Sequence, residues 1–438
     1  MKALLSTAVA FACASVLWAA EPAPSKPGAV KTNPPETAAY TVHEWGTFTS
    51  FSGSDGVSLE FRPLIDSTLP AFVMTLASQA EALAGGSPIH GLSVDDQKFQ
   101  LITRQRMETP VTYFYTDRVR TVSARVDFPH GLLTEFFPPV RAFGPAWEKG
   151  ARTPLDGGFL DWGQIRLIPV EPAKGKSDEG LPPAGDAAAA AHYAPARETD
   201  SAIVEFIDDM HGGRVREKFL FYRGAGNFEL PVKAVARDDG RVTLQNTGTL
   251  PIAAAMLVHI EKGKIAFAVQ KNIGGEADLT LPAELRPIAA MEGEMRHMLT
   301  EAGLFDKEAA AMVKTWDSSW FGEPGTRVLY LLPQSYTDEL LPLQLSPPPE
   351  KMLRVMVGRL EILSPQEERR IEQLVLRLGA ESFSDREQAT TALAQYGRFA
   401  EPALQRILKI DPDPEVQVRA KRLLLALRTE ARPAAKKP

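Results

Sequence analysis

From Tyr40 to about Gly275 the apolar and polar positions alternate with a period of two. The runs Val111–Tyr115, Val119–Phe128, Val204–Ile207, Lys218–Arg223, Arg241–Gln245, Ala255–Ile260 and Lys264–Val269 are rich in β-branched and aromatic residues. Asp, Asn, Gly and Pro separate them, a rhythm that predicts the strands and turns of antiparallel sheets. Pro129-His130-Gly131, Met210-His211-Gly212-Gly213, Asp238-Asp239-Gly240 and Glu261-Lys262-Gly263 stand where hairpin turns belong. A β-sandwich, or a pair of them, accounts for this pattern best. One helix interrupts it, with Val73, Leu76, Ala80 and Leu83 on one stripe and Gly85-Gly86 closing it.

The period changes in the last third. Ile288, Met291, Met295, Met298 and Leu299 form a helical stripe ended by Gly303, and Asp306 reads as the N-cap of a helix carrying Ala310, Val313, Trp316 and Trp320. Arg327–Leu332 and Leu353–Ile362 return to strand-like runs. Beyond Leu363 the pattern is wholly helical. Ser364-Pro365-Gln366-Glu367 and Ser384-Asp385-Arg386-Glu387 match capping boxes, Gly379 and Gly397 stand at C-caps, and Asp413-Pro414-Glu415 opens the final helix. Such short helices bury their stripes only by stacking on one another. Phe383-Ser384-Asp385-Arg386-Glu387-Gln388-Ala389, Tyr396-Gly397, Glu401-Pro402-Ala403-Leu404 and Glu415-Val416-Gln417-Val418-Arg419-Ala420 resemble HEAT-type helical repeats. That resemblance implies a surface for protein contact.

The expected fold class is therefore α+β: an antiparallel β-sandwich-like body, a mixed α/β segment and a short C-terminal HEAT-like helical repeat. The expected divisions are a β-rich body at 40–275 with a low-complexity excursion at 171–200, the mixed segment at 276–363, the helical repeat at 364–428 and a polar tail at 429–438. Ahead of these stand a signal peptide at 1–20 and a Pro/Ala-rich linker at 21–39. Lys2, the apolar run Ala3–Trp18 and the small pair Ala19-Ala20 have the layout of a cleaved secretory signal, and the run is short for a membrane anchor. Export to the periplasm or the extracellular space is the expectation, with a lipid anchor on Cys13 as the minor alternative.

Cys13 is the only cysteine, so no disulfide can form within one chain and stability must come from the core. The net charge of -6 and pI near 5.8 argue against a sequence-independent nucleic-acid binder. After the signal, no segment has the roughly 20 uninterrupted apolar residues of a membrane-spanning helix.

A second resemblance rests on His43-Glu44-Trp45-Gly46-Thr47-Phe48-Thr49, Met107-Glu108-Thr109-Pro110-Val111, Lys218–Gly224 and Trp316-Asp317-Ser318-Ser319-Trp320-Phe321. These are similar to a group of uncharacterised exported bacterial proteins, and the likeness carries no activity or catalytic residue across. No Gly-x-Ser-x-Gly, Ser-x-x-Lys, His-Glu-x-x-His or Walker loop occurs. Gly224-Ala225-Gly226 lacks the third glycine of a dinucleotide site and reads as a turn between strands. No cofactor is implied. Asp208-Asp209-Met210-His211 lacks the spacing of a calcium loop and reads as a hairpin tip, so no metal is assigned.

The most conspicuous polar cluster is His43-Glu44-Trp45. On a strand, His43 and Trp45 point one way and Glu44 the other, so adjacent His and Glu cannot bind one ion. The bland assignment buries Trp45, lets His43 hydrogen-bond locally and pairs Glu44 with a cation. The sharper one turns Glu44 into a ligand pocket with Arg104 or Arg106 and Glu108, where a carboxylate beside arginine suits polar-ligand binding. The expected function is an exported binding or scaffold module, with a protein partner at 364–428 and a glycan as a further ligand. The rival is a secreted hydrolase or carbohydrate-active enzyme with a two-carboxylate site.

Overall fold

Alternation along each strand decides which residues face inward, but pairing across the chain decides the sheet. The protein is described by a computed structural model that covers residues 40–62, 69–84, 101–146, 154–170, 180–185, 187–208, 213–410 and 413–430. The signal at 1–20 with Cys13, the linker, Gly85-Gly86, the excursion's 171–179, Asp209–Gly212 and the tail from 431 lie outside the described residues.

Among the described residues the largest sheet has ten strands. From edge to edge it runs Lys264–Ile273, Ile252–Glu261, Gly325–Leu332, Lys351–Ile362, Tyr40–Ser52, Gln105–Thr116, Leu220–Gly226, Gly131–Phe137 and Met74–Thr75, with Ser58–Leu59 beside Tyr40–Ser52. Its central pair is parallel, with Trp45 opposite Val355. The sheet is thus mixed, where the sequence suggests antiparallel pairing throughout. A parallel pair needs a long crossover between its strands, and local periodicity carries no trace of direction. The strands Gly325–Leu332 and Lys351–Ile362 of the mixed segment sit inside this sheet with those of the body.

A second sheet orders Gly213–Glu217, Ile203–Asp208, Gly158–Ile168, Arg120–Phe128 and Leu343–Ser346, with Ala142–Gly144 beside Gly158–Ile168. All of its pairs are antiparallel. Its inward residues, among them Val126, Leu160, Trp162 and Phe206, share one apolar layer with Val42, Phe48, Phe114 and Tyr222 of the large sheet. A third, three-stranded sheet of Val232–Ala236, Arg241–Asn246 and Glu276–Thr280 adds Val242 and Leu244 to that layer. Burying each such side chain contributes about 1.5–3 kcal/mol, so these layers are the main source of stability.

Helices cover the other face of the large sheet. Ile288–Glu301 presents Met291, Met295, Met298 and Leu299 inward, on the expected stripe, and Gly303 at φ +106° ends the turn. Asp306 opens the next helix as its first residue, with Phe305 as the N-cap. Glu308 reaches back to the Phe305 N–H at 2.7 Å, and this bond fixes the helix start one residue early. The buried set is Glu308, Ala309, Ala311, Met312, Thr315 and Trp316. A π-turn, Asp317–Phe321, follows and places Trp320 and Phe321 in the core.

Two further local expectations change. Ser382, and not Ser384, caps the helix Phe383–Tyr396, because its hydroxyl accepts from the Asp385 N–H. Gly224-Ala225-Gly226 lies within a strand and makes no turn. A Cβ on Gly224 would meet the Leu132 carbonyl oxygen at 2.2 Å, so glycine serves close strand approach there. Within the expected excursion, Tyr193 and Ala196 are buried against the helix-side core.

The helices Pro365–Arg377, Phe383–Tyr396, Glu401–Ile410 and Pro414–Glu430 bury a cluster of their own, including Ile371, Leu374, Leu393, Leu404 and Leu423. They also dock on the sheets. Arg62 donates to Glu401 and to the Leu424 carbonyl, Ser54 donates to Glu368, and Phe51 packs edge-on against Phe399. Among the described residues no helix is long and apolar enough to cross a membrane.

The closest approach in the sheet is at Gly358, whose missing Cβ would lie 2.1 Å from the Tyr330 ring. Gly358→Ala should lower stability by about 1–3 kcal/mol in urea unfolding, an overpacking cost. An unchanged midpoint would contradict that contact.

Candidate functional site

The strand Tyr40–Ser52 carries the conspicuous cluster, and its pleat divides it between two layers. His43, Trp45, Thr47 and Thr49 face the helices, while Glu44 and Phe48 face the second sheet. Glu44 is fully buried, and its oxygens are taken up on all sides. Thr112 Oγ1 donates at 2.7 Å, the Tyr222 hydroxyl at 2.5 Å, and Arg354 binds the second oxygen through Nε and a terminal nitrogen, both at 2.7 Å. Arg354 reaches on to Asp338 at 3.0 Å and to the Leu341 carbonyl at 2.7 Å. Burial and the Glu44 charge push the Tyr222 hydroxyl well above its ordinary range. Burial by itself would lower the Arg354 pKa, but Glu44 reverses the sign and the net shift is upward. Tyr222 is therefore a fixed donor and Arg354 a fixed cation.

His43 anchors the helix layer. Its Nδ1 lies 2.8 Å from Glu308 Oε2, Tyr115 donates its hydroxyl to the other oxygen at 2.8 Å, and the Phe305 ring packs tilted against the imidazole at 4.4 Å between centroids. Burial, then the Glu308 charge, raises the Tyr115 pKa far above normal, so this hydroxyl also acts as donor alone.

A row of charged side chains crosses the same helix-facing side. It begins with Arg327, 3.1 Å from Glu361, which in turn holds Arg359 at 2.5 Å. Across the Tyr40–Ser52 strand, Thr49 donates to Glu108 at 2.7 Å, and Arg106 meets the other Glu108 oxygen at 2.6 Å. Arg223 and Glu135 stand opposite each other on the next two strands, at 3.6 Å. Six adjacent strands contribute, and nearly every member is buried. Burial pushes the Glu108 carboxyl up, but Arg106 at its side, Arg359 and Arg223 farther away, and the Thr49 hydroxyl bring it below the usual carboxylate range. Burial also lowers Arg327 to about 10 against the pull of Glu361.

The expected pocket does not form as drawn. Arg106 and Glu108 do come together, but Glu44 lies on the opposite face of the sheet and pairs with Arg354 instead. The reason is strand parity. Glu44 pairs with Thr112, whereas Thr47 and Thr49 pair with Glu108 and Arg106 past a bulge between Trp45 and Thr47. Arg104 belongs to neither group. It lies at the surface, where its N–H reaches Asn227 and its guanidinium reaches Glu229 at 3.5 Å. The bland assignment matches the geometry in two respects, Trp45 in the core and Glu44 paired with a cation, whereas His43 bonds not locally but to Glu308, 265 residues along the chain.

Sequence reasoning missed Arg354, Tyr222, Glu308 and Arg359. Alternation in Leu353–Ile362 separates Arg354 from Arg359 and Glu361, which was a usable signal, but nothing local names the strand beside them. Among the described residues, no group of three or more His, Cys, Asp or Glu side chains is placed to hold a metal ion. No protein-family model and no curated protein matches the chain.

Glu44→Gln strands Arg354 in the interior and should cost about 3–5 kcal/mol in urea unfolding, much of it recovered in the double variant Glu44→Gln/Arg354→Met. Additive losses would contradict direct pairing. Glu108 gives a pH signature. Its folded pKa lies below the unfolded value of about 4.3, so its stabilisation is present above that pH and is lost as pH falls through the folded value. Over roughly pH 5 to 3, Glu108→Gln should show a shallower loss of unfolding free energy than the natural chain.

Proposed function

We propose that the protein is exported under Met1–Ala20 and works as a binding or scaffold module. In this reading the two facing sheets form a sandwich-like platform, and residues 364–428 form a HEAT-like repeat that meets a protein partner. The observation that carries the reading is the closure of the candidate carboxylates. Glu44 is sealed by Arg354, Tyr222 and Thr112, and Glu108 by Arg106 and Thr49, on opposite sides of one sheet. Hydrolysis of a glycosidic bond needs two carboxyl groups about 5–9.5 Å apart facing one cleft, one of them able to hold a proton near neutral pH. Glu108, with its lowered pKa, is unsuited to that donor role. Trp316 and Trp320 stack on each other in the core, where a sugar ring cannot reach them.

The helical segment already commits one side to the sheets through Glu368, Phe399 and Glu401. Exposed Leu376, Phe383, Val418 and Leu425 lie on what remains. Affinity capture from an envelope extract with the intact mature chain tests the reading. Enrichment of one polypeptide, lost when Val418 and Leu425 are both replaced by Ser, is the expected outcome. Turnover of a glycoside that disappears in Glu108→Gln would replace this function with the hydrolase.

A further inference from the structure

The outer face of the six-stranded sheet, turned away from the apolar layers, carries a cationic cluster that the function above leaves unused. Arg166, Glu205 and Arg216 stand side by side on three neighbouring strands, with Glu205 directly opposite both arginines. Arg216 grips one oxygen of Glu205 through Nε at 2.8 Å and a terminal nitrogen at 2.7 Å. Arg166 at 3.3 Å and Arg214 at 3.8 Å approach the other oxygen. The carboxylate has no solvent exposure, while the side chains of Arg166, Arg214 and Arg216 remain 41%, 62% and 35% exposed.

Three positive charges against one negative leave two uncompensated within this group. The outward neighbours on the next strand, Thr121 and Ser123, are neutral, and Asp127 and Asp161 farther along are engaged by Arg125. Glu205 thus acts as an internal tether that hydrogen-bonds the guanidinium forks of Arg216 and Arg166 and attracts that of Arg214, so less side-chain entropy is lost when they meet an anion. Gly180 stands beside Arg216, while the side chains of Arg166 and Arg214 keep 41% and 62% of their surface open to solvent. Repeated oxyanions along one chain would engage several forks at once, which multiplies affinity on such a surface. A duplex nucleic acid, with one charge per roughly 1.7 Å, would meet strong repulsion from a chain of net charge -6. A single-stranded acidic polysaccharide is narrow enough to lie along the strands, so fewer of its charges face the acidic remainder of the surface than those of a duplex.

We propose that Arg166, Arg214 and Arg216, tethered by Glu205, form a docking surface for a linear acidic polysaccharide bearing carboxylate or sulfate groups. The inference goes beyond the preceding reading, since it needs neither export nor a protein partner. The purified full chain is titrated with polygalacturonate, with heparin and with neutral dextran at increasing salt. The two acidic polymers should bind and dextran should not. Arg214→Gln, the change farthest from Glu205, should weaken binding several-fold and lower the log–log salt slope by about one. Arg296→Gln, on the helix layer, should leave the slope unchanged. Arg166→Gln serves as the second variant, and thermal unfolding verifies that each variant is folded. Absence of binding to both acidic polymers, an unchanged slope in the folded arginine variants, or tighter binding to duplex DNA would overturn the proposal. Failure to capture a polypeptide from extract would leave these titrations unaffected, so the two readings fail separately.

Discussion

Ionised side chains crossing the helix-facing side of the large sheet impose the constraint to which the rest of the structure conforms. Removing charges from water costs several kcal/mol per ion, and the cost is offset only where each guanidinium meets its carboxylate in good geometry. Arg327 with Glu361 and Arg223 with Glu135 are direct cross-strand partners. A slip of one residue would carry an arginine to the other face and leave its carboxylate buried alone. The apolar layers supply most of the free energy, yet they would tolerate several registers. The charged row tolerates one, so its contribution is specificity of pairing more than net stability.

That view explains which features can be read from the chain and which cannot. Parity along Tyr40–Ser52 is local, so the division of His43 and Trp45 from Glu44 follows from the residues themselves. The Met291, Met295 and Met298 stripe is local too, as are the turns after Phe128 and Glu261. Partner identity is not local. Arg354 lies 310 residues from Glu44, and only the parallel pairing at the centre of the sheet brings them together. The cap at Ser382 and the π-turn after Trp316 fail for a subtler reason: several residues there satisfy the same rule, and packing selects among them.

The distribution of charge separates interior from exterior chemistry. Inside, each carboxylate considered for function already has an arginine, and Tyr222 and Tyr115 have hydroxyls fixed as donors by burial and a neighbouring carboxylate. These groups hold the layers in place and have little freedom to exchange protons with a ligand. Outside, on the second sheet, the balance tips towards exposed guanidinium around a hidden carboxylate.

The attachment of the terminal helices has a mechanical meaning. Ser364 caps the first of them two residues after Lys351–Ile362 ends, and that strand is one half of the parallel central pair. Arg62, near the start of the described chain, clasps Glu401 and the Leu424 carbonyl from the other side. A pull on the last helices would first load this clasp. It would then draw the parallel ladder lengthwise, so that many hydrogen bonds resist in shear together instead of opening one by one.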